Sequence, residues 1–190
     1  MDLAAARSCF PGTRGRTFLD AACVSLMPVQ AEEALRRLAA DLVACPARDA
    51  SAHHIALDQT ADRTRREAAR LLNASPDDIA LVESTTHGLE IVAACVPLGP
   101  GDQVLVGDTE FLGLAVPWVP RQERDGFRIQ VVPNRQGRLL VEDFARAADG
   151  HARMILLSSV QWSSGYRADL AAFSDLARRR GIVLVVDAIQ

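Results

Sequence analysis

Residues 182–190 read Ile-Val-Leu-Val-Val-Asp-Ala-Ile-Gln, an apolar run that leads into the carboxylate of Asp187. Such a run is typical of a buried parallel strand, because a strand covered on both faces loses the polar alternation of a surface strand. A strand of this kind delivers its last polar residue to the rim of an α/β sheet. We therefore predict a buried parallel strand that places Asp187 at that rim, and we expect further structure to follow it.

Strands and helices alternate along the chain before this run. Short apolar stretches predict strands at 79–82, 103–106, 127–132, 153–158 and 182–187. Amphipathic stretches predict helices at about 85–96, 141–148 and 168–180. Alternation at this spacing is typical of βαβ units. The predicted fold class is therefore α/β, with a three-layer α/β/α arrangement around a mostly parallel sheet.

The first third of the chain has a different pattern. We predict an N-terminal arm over 1–30 and a single large domain over 31–190. Apolar residues at helical spacing predict helices at about 29–44 and 58–73. The small and polar residues of 45–57, which include His53 and His54, predict a loop between them.

The composition excludes several classes of function. The 190 residues are 49% hydrophobic and 24% charged with a net charge of −3, which favours a soluble globular protein over a nucleic-acid or membrane-surface binder. No apolar stretch approaches the ~18 residues of a membrane span, and the N-terminus does not resemble a secretory signal. The four cysteines form no CxxC pair, so we expect reduced thiols, no metal and a cytoplasmic location. All 21 basic residues are arginine, and the sequence contains no lysine.

Ligands of open parallel sheets bind at the carboxyl ends of the strands. At one such end, Ser84, Thr85 and Thr86 open a predicted helix, whose free N–H groups suit a phosphate. Simple helix capping by a hydroxyl group explains the same residues. The stretch is not a glycine-rich phosphate loop, because no GxxxxGK[ST] pattern occurs.

Other residues at the strand ends are open to two interpretations each. Asp187 either has a partner for its charge, which a protonated heteroaromatic nitrogen, a metal ion or a salt bridge could supply, or is simply exposed at the end of its strand. Phe111 and Trp162 offer either an aromatic face for a flat ring or core packing. His87 either lines the site or occupies the first turn of the helix.

The order of these motifs resembles the class V aminotransferase family of pyridoxal-phosphate (PLP) enzymes, of fold type I, over about 17–190. This family includes cysteine desulfurases, selenocysteine lyases, isopenicillin-N-epimerase-like proteins and kynureninases. The segments that carry the resemblance are Phe18-Leu19-Asp20-Ala21-Ala22, Ser84-Thr85-Thr86-His87-Gly88-Leu89, Glu110-Phe111 with Val116-Pro117-Trp118, and Val186-Asp187-Ala188-Ile189-Gln190. The last of these matches the V-D-x-x-Q motif, the most specific of the set.

The resemblance implies PLP as the cofactor and a role for each matching residue. Asp187 would keep the pyridine nitrogen protonated, and Gln190 would hydrogen-bond the ring oxygen. Phe111 would stack on the ring, where desulfurases have His. Thr85, Thr86 and the His87 amide would hold the phosphate. Gln161 would lie near the reactive end of the cofactor, and Ala22 would belong to the loop near the substrate.

The departures from the family pattern set the functional expectations. The family's Schiff-base lysine follows the V-D-x-x-Q motif, and this sequence has none. We expect the N-terminal part of a PLP-dependent enzyme acting on an amino acid, with aminotransferase, epimerase or C–S lyase chemistry, that is inactive by itself. The complete protein is expected to be a homodimer. The alternative is a catalytically dead protein that binds a phosphorylated ligand or a partner; a nucleotide-binding oxidoreductase is disfavoured by the missing GxGxxG turn.

Overall fold

The computed structural model describes residues 2–190. These residues divide into two compact units, and the boundary along the chain falls between Leu81 and Val82. The first unit is helical. Its helices are α1 (Leu3–Ser8), α2 (Val29–Ala44) and α3 (Ala50–Leu72), with 3₁₀ turns at Pro11–Thr13 and Pro76–Asp78. Helix α2 confirms the prediction at 29–44. The proposed arm over 1–30 remains a prediction.

Helix α3 corrects the loop predicted at 45–57. The helix begins at Ala50, so His53 and His54 lie within it. The side chain of Asp49 accepts a hydrogen bond from the amide of Ala52 at 2.8 Å, which satisfies one of the free donors of the first turn. The small and polar residues of 45–57 predicted a loop, but the alanines among them favour a helix once the Asp49 cap is present.

The second unit contains the sheet and the helices that cover it. The strands are β1 (Gln103–Gly107), β2 (Arg128–Val132), β3 (Ala152–Ser158) and β4 (Val183–Asp187). The helices are α4 (Thr85–Cys95), α5 (Leu112–Ala115), α6 (Val119–Asp125), α7 (Val141–Ala147) and α8 (Leu170–Arg180), with a 3₁₀ turn at Val116–Trp118. The sheet order is β2-β1-β3-β4 and every pairing is parallel, as predicted.

Two apolar cores lie on opposite faces of this sheet. On one face Leu105 and Ile155 pack with side chains of α7 and α8, including Phe144 and Phe173. On the other face Val104, Val106, Met154 and Leu156 pack with side chains of α4, α5 and the 3₁₀ turn. Successive strand residues alternate between the two cores. The predicted three-layer α/β/α arrangement is therefore confirmed.

Arg121 anchors the C-terminal end of α4 to the neighbouring helix α6. Its guanidinium donates hydrogen bonds to the carbonyl oxygens of Ala93 and Val96, which would otherwise be unpaired at the helix end. The same group pairs with Asp125 at 2.6 Å. These contacts fix the helix whose opposite end approaches the carboxyl edge of the sheet.

Two predictions about strands are wrong. Residues 79–82 form no strand, because an extended segment needs a hydrogen-bonded neighbour and none pairs with it in the part of the chain described. Strand β4 exists, but it is an edge strand rather than a buried one. Within residues 2–190, β4 pairs only with β3, and its Val183 is 48% exposed. Asp187 at its end is buried.

Within residues 2–190, no helix is both long enough and apolar enough to span a membrane.

The core between α7 and α8 yields a stability prediction. The rings of Phe144 and Phe173 meet edge to face at 5.0 Å between centroids, and both are buried. Truncating Phe173 to Ala will lower the free energy of unfolding by about 3–5 kcal/mol, because it leaves a cavity and removes the aromatic contact. Urea unfolding followed by circular dichroism measures the change.

Leu170, also on α8 but 37% exposed, is the matched control for this truncation. Leu170→Ala will cost less than about 1 kcal/mol. Equal losses for the two variants would contradict the placement of Phe173 in the core.

Candidate functional site

Three parallel strands end side by side at one edge of the sheet. The register pairs Val106 of β1 with Leu156 of β3, and Ser158 of β3 with Asp187 of β4. Because all strands run the same way, the polar residues that follow them collect at this carboxyl edge. Glu110 follows β1 after a short turn, and Gln161 follows β3. The edge therefore gathers buried polar groups that are far apart in the sequence.

Glu110 is the centre of a buried hydrogen-bond network at this edge. Its carboxylate accepts hydrogen bonds from the backbone amide of Ser158 at 3.0 and 3.1 Å and from the Ser158 hydroxyl. It also accepts one from Nε2 of Gln161 at 2.8 Å. The Oε1 atom of Gln161 in turn accepts a hydrogen bond from Thr109 at 3.0 Å. One carboxylate thus joins the turn after β1 to the end of β3 and the loop beyond.

Burial makes the charged form of Glu110 costly and raises the pKa of its carboxyl above the usual range. The hydrogen bonds from Ser158 and Gln161 oppose this change, and the nearby negative charge of Asp187 adds to it. Burial is the dominant cause.

Asp187 is the second buried carboxylate of the edge, with 6% of its surface exposed. Its Oδ1 atom accepts a hydrogen bond from the amide of Ile189 at 3.0 Å, and its carbonyl accepts one from Ser159 at 2.8 Å. Among the described residues, no cationic side chain forms an ion pair with it. Asp187 therefore retains capacity to accept a hydrogen bond from a cationic ligand group.

The N-terminus of α4 faces the same side of the unit. Ser84 caps the helix by accepting a hydrogen bond from the amide of His87 at 3.1 Å, so this amide already has a partner. The amides of Thr85 and Thr86 belong to the first turn, where N–H groups have no partner within the helix. Thr85 and Asp187 line one cavity of about 390 Å³. Thr86 lines a different cavity of about 630 Å³, between α4 and the segment from α5 to α6.

An aromatic pair stands beside these groups. The rings of Phe111 and Trp162 meet edge to face at 5.9 Å between centroids, and they are 49% and 58% exposed. Gly113 allows this arrangement, because a Cβ atom there would lie 3.3 Å from both the Phe111 ring and the Thr86 hydroxyl oxygen. Phe111 therefore offers an exposed ring close to the start of α4.

The remaining residues named from the sequence have different surroundings. Gln161 is 1% exposed and belongs to the Glu110 network, while Gln190 is exposed. Ala22 is half-buried and belongs to the first unit. The roles of these residues toward a cofactor or substrate remain predictions.

Sequence reasoning missed the network around Glu110. Thr109, Glu110 and Ser158 were assigned no role, although Glu110 directly precedes Phe111 at the end of β1. The available signal was a carboxylate placed shortly after the apolar run Val104-Leu105-Val106, a pattern similar to the one that singled out Asp187.

Comparison with known proteins identifies the family. The family model for class V aminotransferases matches residues 17–190, and the chain belongs to this family. An uncharacterized protein of Schizosaccharomyces pombe is 34% identical over 131 residues, which is 68% of this chain and 30% of that protein. A cysteine desulfurase of Salmonella gallinarum is 28% identical over 137 residues, which is 70% of this chain and 34% of that protein.

Solved structures agree on the fold. The cysteine desulfurase CsdA from Escherichia coli has a TM-score of 0.85 at 26% identity and covers 98% of this chain. The K223A mutant of C-DES, with glycine covalently linked to its PLP cofactor, has a TM-score of 0.87 at 22% identity and covers 97%. The fold is therefore that of PLP-dependent enzymes of fold type I.

The chain spans only part of these proteins. It matches 48% and 49% of the two solved chains and about a third of the length of the curated relatives.

The raised pKa of Glu110 predicts the pH dependence of stability. The folded chain binds the Glu110 proton more tightly than the unfolded chain does, so this carboxyl stabilises the fold most below its unfolded pKa of about 4.3. That contribution is lost as the pH rises through the folded pKa. The melting temperature of the wild type, relative to Glu110→Gln, will therefore fall from pH 4 to pH 7.

Asp102 is the control of opposite sign, because its hydrogen bond from Arg153 lowers the pKa of its carboxyl. As the pH rises across the acidic end of the same series, the wild type will gain stability relative to Asp102→Asn. A flat difference for Glu110→Gln would contradict the raised pKa.

Proposed function

We propose that the chain is the N-terminal part of a PLP-dependent class V enzyme that acts on an amino acid, by aminotransferase, epimerase or C–S lyase chemistry. Family membership supports this proposal, together with relatives named cysteine desulfurase and uncharacterized aminotransferase. The structural neighbour C-DES is a cystine C–S lyase by name and carries PLP in the mutant form.

One observation carries the proposal: Asp187 and Thr85 line the same cavity. A buried carboxylate without a cationic partner suits a protonated ring nitrogen, and the first turn of a helix suits a phosphate. A ligand that carries both groups on one flat ring would meet both of these residues. PLP has this combination, so the donor and acceptor set fits it.

The residues divide the work of binding between them. Asp187 holds a proton on the ring nitrogen, and Phe111 supplies an aromatic face beside the start of α4. Thr85, Thr86 and His87 hold the phosphate, which must compete with Ser84 for the His87 amide. Gln161 and Gln190 hydrogen-bond the ring substituents, and Ala22 lies in the substrate loop.

Bound PLP supplies an electron sink for a carbanion at the substrate α-carbon, and this capacity depends on a protonated ring nitrogen. Asp187 maintains that protonation because a buried negative charge favours a cation beside it. The contribution of this chain is thus to bind the ring, orient it and hold its proton.

We propose that the 190-residue chain is catalytically inactive by itself. Its sequence contains no lysine, so no side chain can form the covalent link or serve as the lysine base. The same composition favours the second candidate function, a binding protein for a phosphorylated ligand. We also propose a cytoplasmic location, which the cysteine pattern favours. We propose in addition that the complete protein is a homodimer, which the family resemblance implies.

Pyridoxamine 5′-phosphate tests the binding site without a covalent step. The chain will bind it saturably in a fluorescence titration, and pyridoxamine without the phosphate will bind more weakly. Asp187→Asn will weaken binding by about tenfold or more, because the variant loses the charge that faces the ring nitrogen.

Asp175→Asn is the matched control for loss of one negative charge, because Asp175 forms only an exposed pair with Arg178. This variant will bind as the wild type does. Absence of saturable binding, or equal losses in both variants, would refute the proposed cofactor site. Equal binding with and without the phosphate would refute the role of α4.

Covalent trapping tests the prediction of inactivity. After incubation with PLP and reduction with borohydride, mass spectrometry will find the added mass only at the N-terminal amine, since the chain has no other amine. Transamination or lyase assays with PLP and amino acids will show no turnover above free PLP. Turnover that disappears in Asp187→Asn would overturn the prediction.

A further inference from the structure

The buried network around Glu110 contains one N–H donor, on Gln161, whose hydrogen bond no group of the described residues accepts. Gln161 has two hydrogens on Nε2, and one of them is donated to Glu110 at 2.8 Å. Among residues 2–190, no other acceptor takes a hydrogen bond from this nitrogen. The side chain is 1% exposed, so little water reaches it. A buried donor of this kind is costly unless a bound molecule supplies the acceptor.

We propose that Glu110 is a positioning residue that fixes the side-chain amide of Gln161 so that its free N–H is presented to an oxygen atom of the cofactor. This inference rests on the proposed function, because it takes PLP or its amine form as the ligand of the edge.

The orientation of the amide follows from the chemistry of its two partners. The Glu110 carboxylate accepts the hydrogen bond from Nε2 of Gln161, and in its ionised form it can accept hydrogen bonds but not donate them. On the other side, the Thr109 hydroxyl donates to Oε1 at 3.0 Å. A flipped amide would set its oxygen against the carboxylate and leave Thr109 without an acceptor. Glu110 therefore excludes one of the two orientations.

Glu110 is itself held in place. The amide and hydroxyl groups of Ser158 donate to it, and Ser158 is paired in register with Asp187. The position of the carboxylate is thus tied to the same strand ends that carry Asp187. This connection links the Gln161 donor, in the loop after β3, to the strand ends that carry Ser158 and Asp187, which suits a ring with an acceptor oxygen and a protonated nitrogen.

Single substitutions in the 190-residue chain test the inference by titration with pyridoxamine 5′-phosphate. Glu110→Gln keeps the shape of the side chain but can pair with either orientation of the Gln161 amide. We expect its affinity to fall roughly three- to tenfold, the loss of about one hydrogen bond. Asp175→Asn also removes one negative charge, but from an exposed pair with Arg178 outside the network, so we expect its affinity to stay within about twofold.

An exchange of the two side chains separates positioning from simple structural support. The double variant Glu110→Gln with Gln161→Glu restores a hydrogen bond between the two positions and keeps the same atoms in the network. It replaces the free N–H with a carboxylate oxygen. We expect the melting temperature to recover toward the wild-type value while the affinity for pyridoxamine 5′-phosphate stays low.

Each outcome bears on the inference separately from the proposed function. Wild-type affinity in Glu110→Gln, or recovery of affinity in the exchanged variant, would overturn the positioning role and leave the cofactor site intact. Lack of saturable binding by the wild type would overturn the proposed function, and the positioning role with it. Reduced affinity in Glu110→Gln, with normal affinity in Asp175→Asn and no recovery on exchange, supports the inference.

Discussion

The parallel pairing of β3 with both β1 and β4 is the constraint on which the rest of the second unit depends. A parallel sheet needs cover on both faces, and the two apolar cores on either side of β1 and β3 supply it. Because every strand runs the same way, polar side chains can collect only where the strands end. The register that places Ser158 beside Asp187 thus sets both the fold and the location of the candidate site.

The two buried carboxylates at this edge, Glu110 and Asp187, have different hydrogen-bond partners. The carboxylate oxygens of Glu110 accept hydrogen bonds from Ser158 and Gln161, so its contacts are with other protein groups. Asp187 accepts one backbone hydrogen bond, from Ile189, and forms no ion pair within residues 2–190. Its carboxylate therefore remains able to accept a hydrogen bond from a ligand. Hydrogen bonding offsets part of the cost of burying Glu110, whereas a bound cation would offset the cost at Asp187. The environment, rather than the residue type, separates the two roles.

The strands of the sheet and helix α2 could be predicted because their signals are local, as continuous apolar runs or helical spacing. The failures involve partners that the sequence does not place side by side. Among the residues that the structure describes, 79–82 have strand composition but pair with no strand, and β4 has the composition of a buried strand but lies at the edge of the sheet. The helix predicted at 58–73 is the C-terminal part of α3, and its first turns were missed because the start of the helix depends on one capping side chain, Asp49. The Glu110 network joins residues 48 to 52 positions apart, so no local pattern could reveal it.

The lack of lysine separates two properties that a complete PLP site combines. Recognition of the ring and phosphate uses a carboxylate, an aromatic face and backbone N–H groups, none of which requires an amine. Covalent attachment requires a lysine, which this chain does not have. Any affinity for pyridoxamine 5′-phosphate would therefore arise from non-covalent contacts alone. In such a site the loss of the Asp187 charge cannot be masked by a covalent bond, so the electrostatic contribution of this one carboxylate is directly measurable.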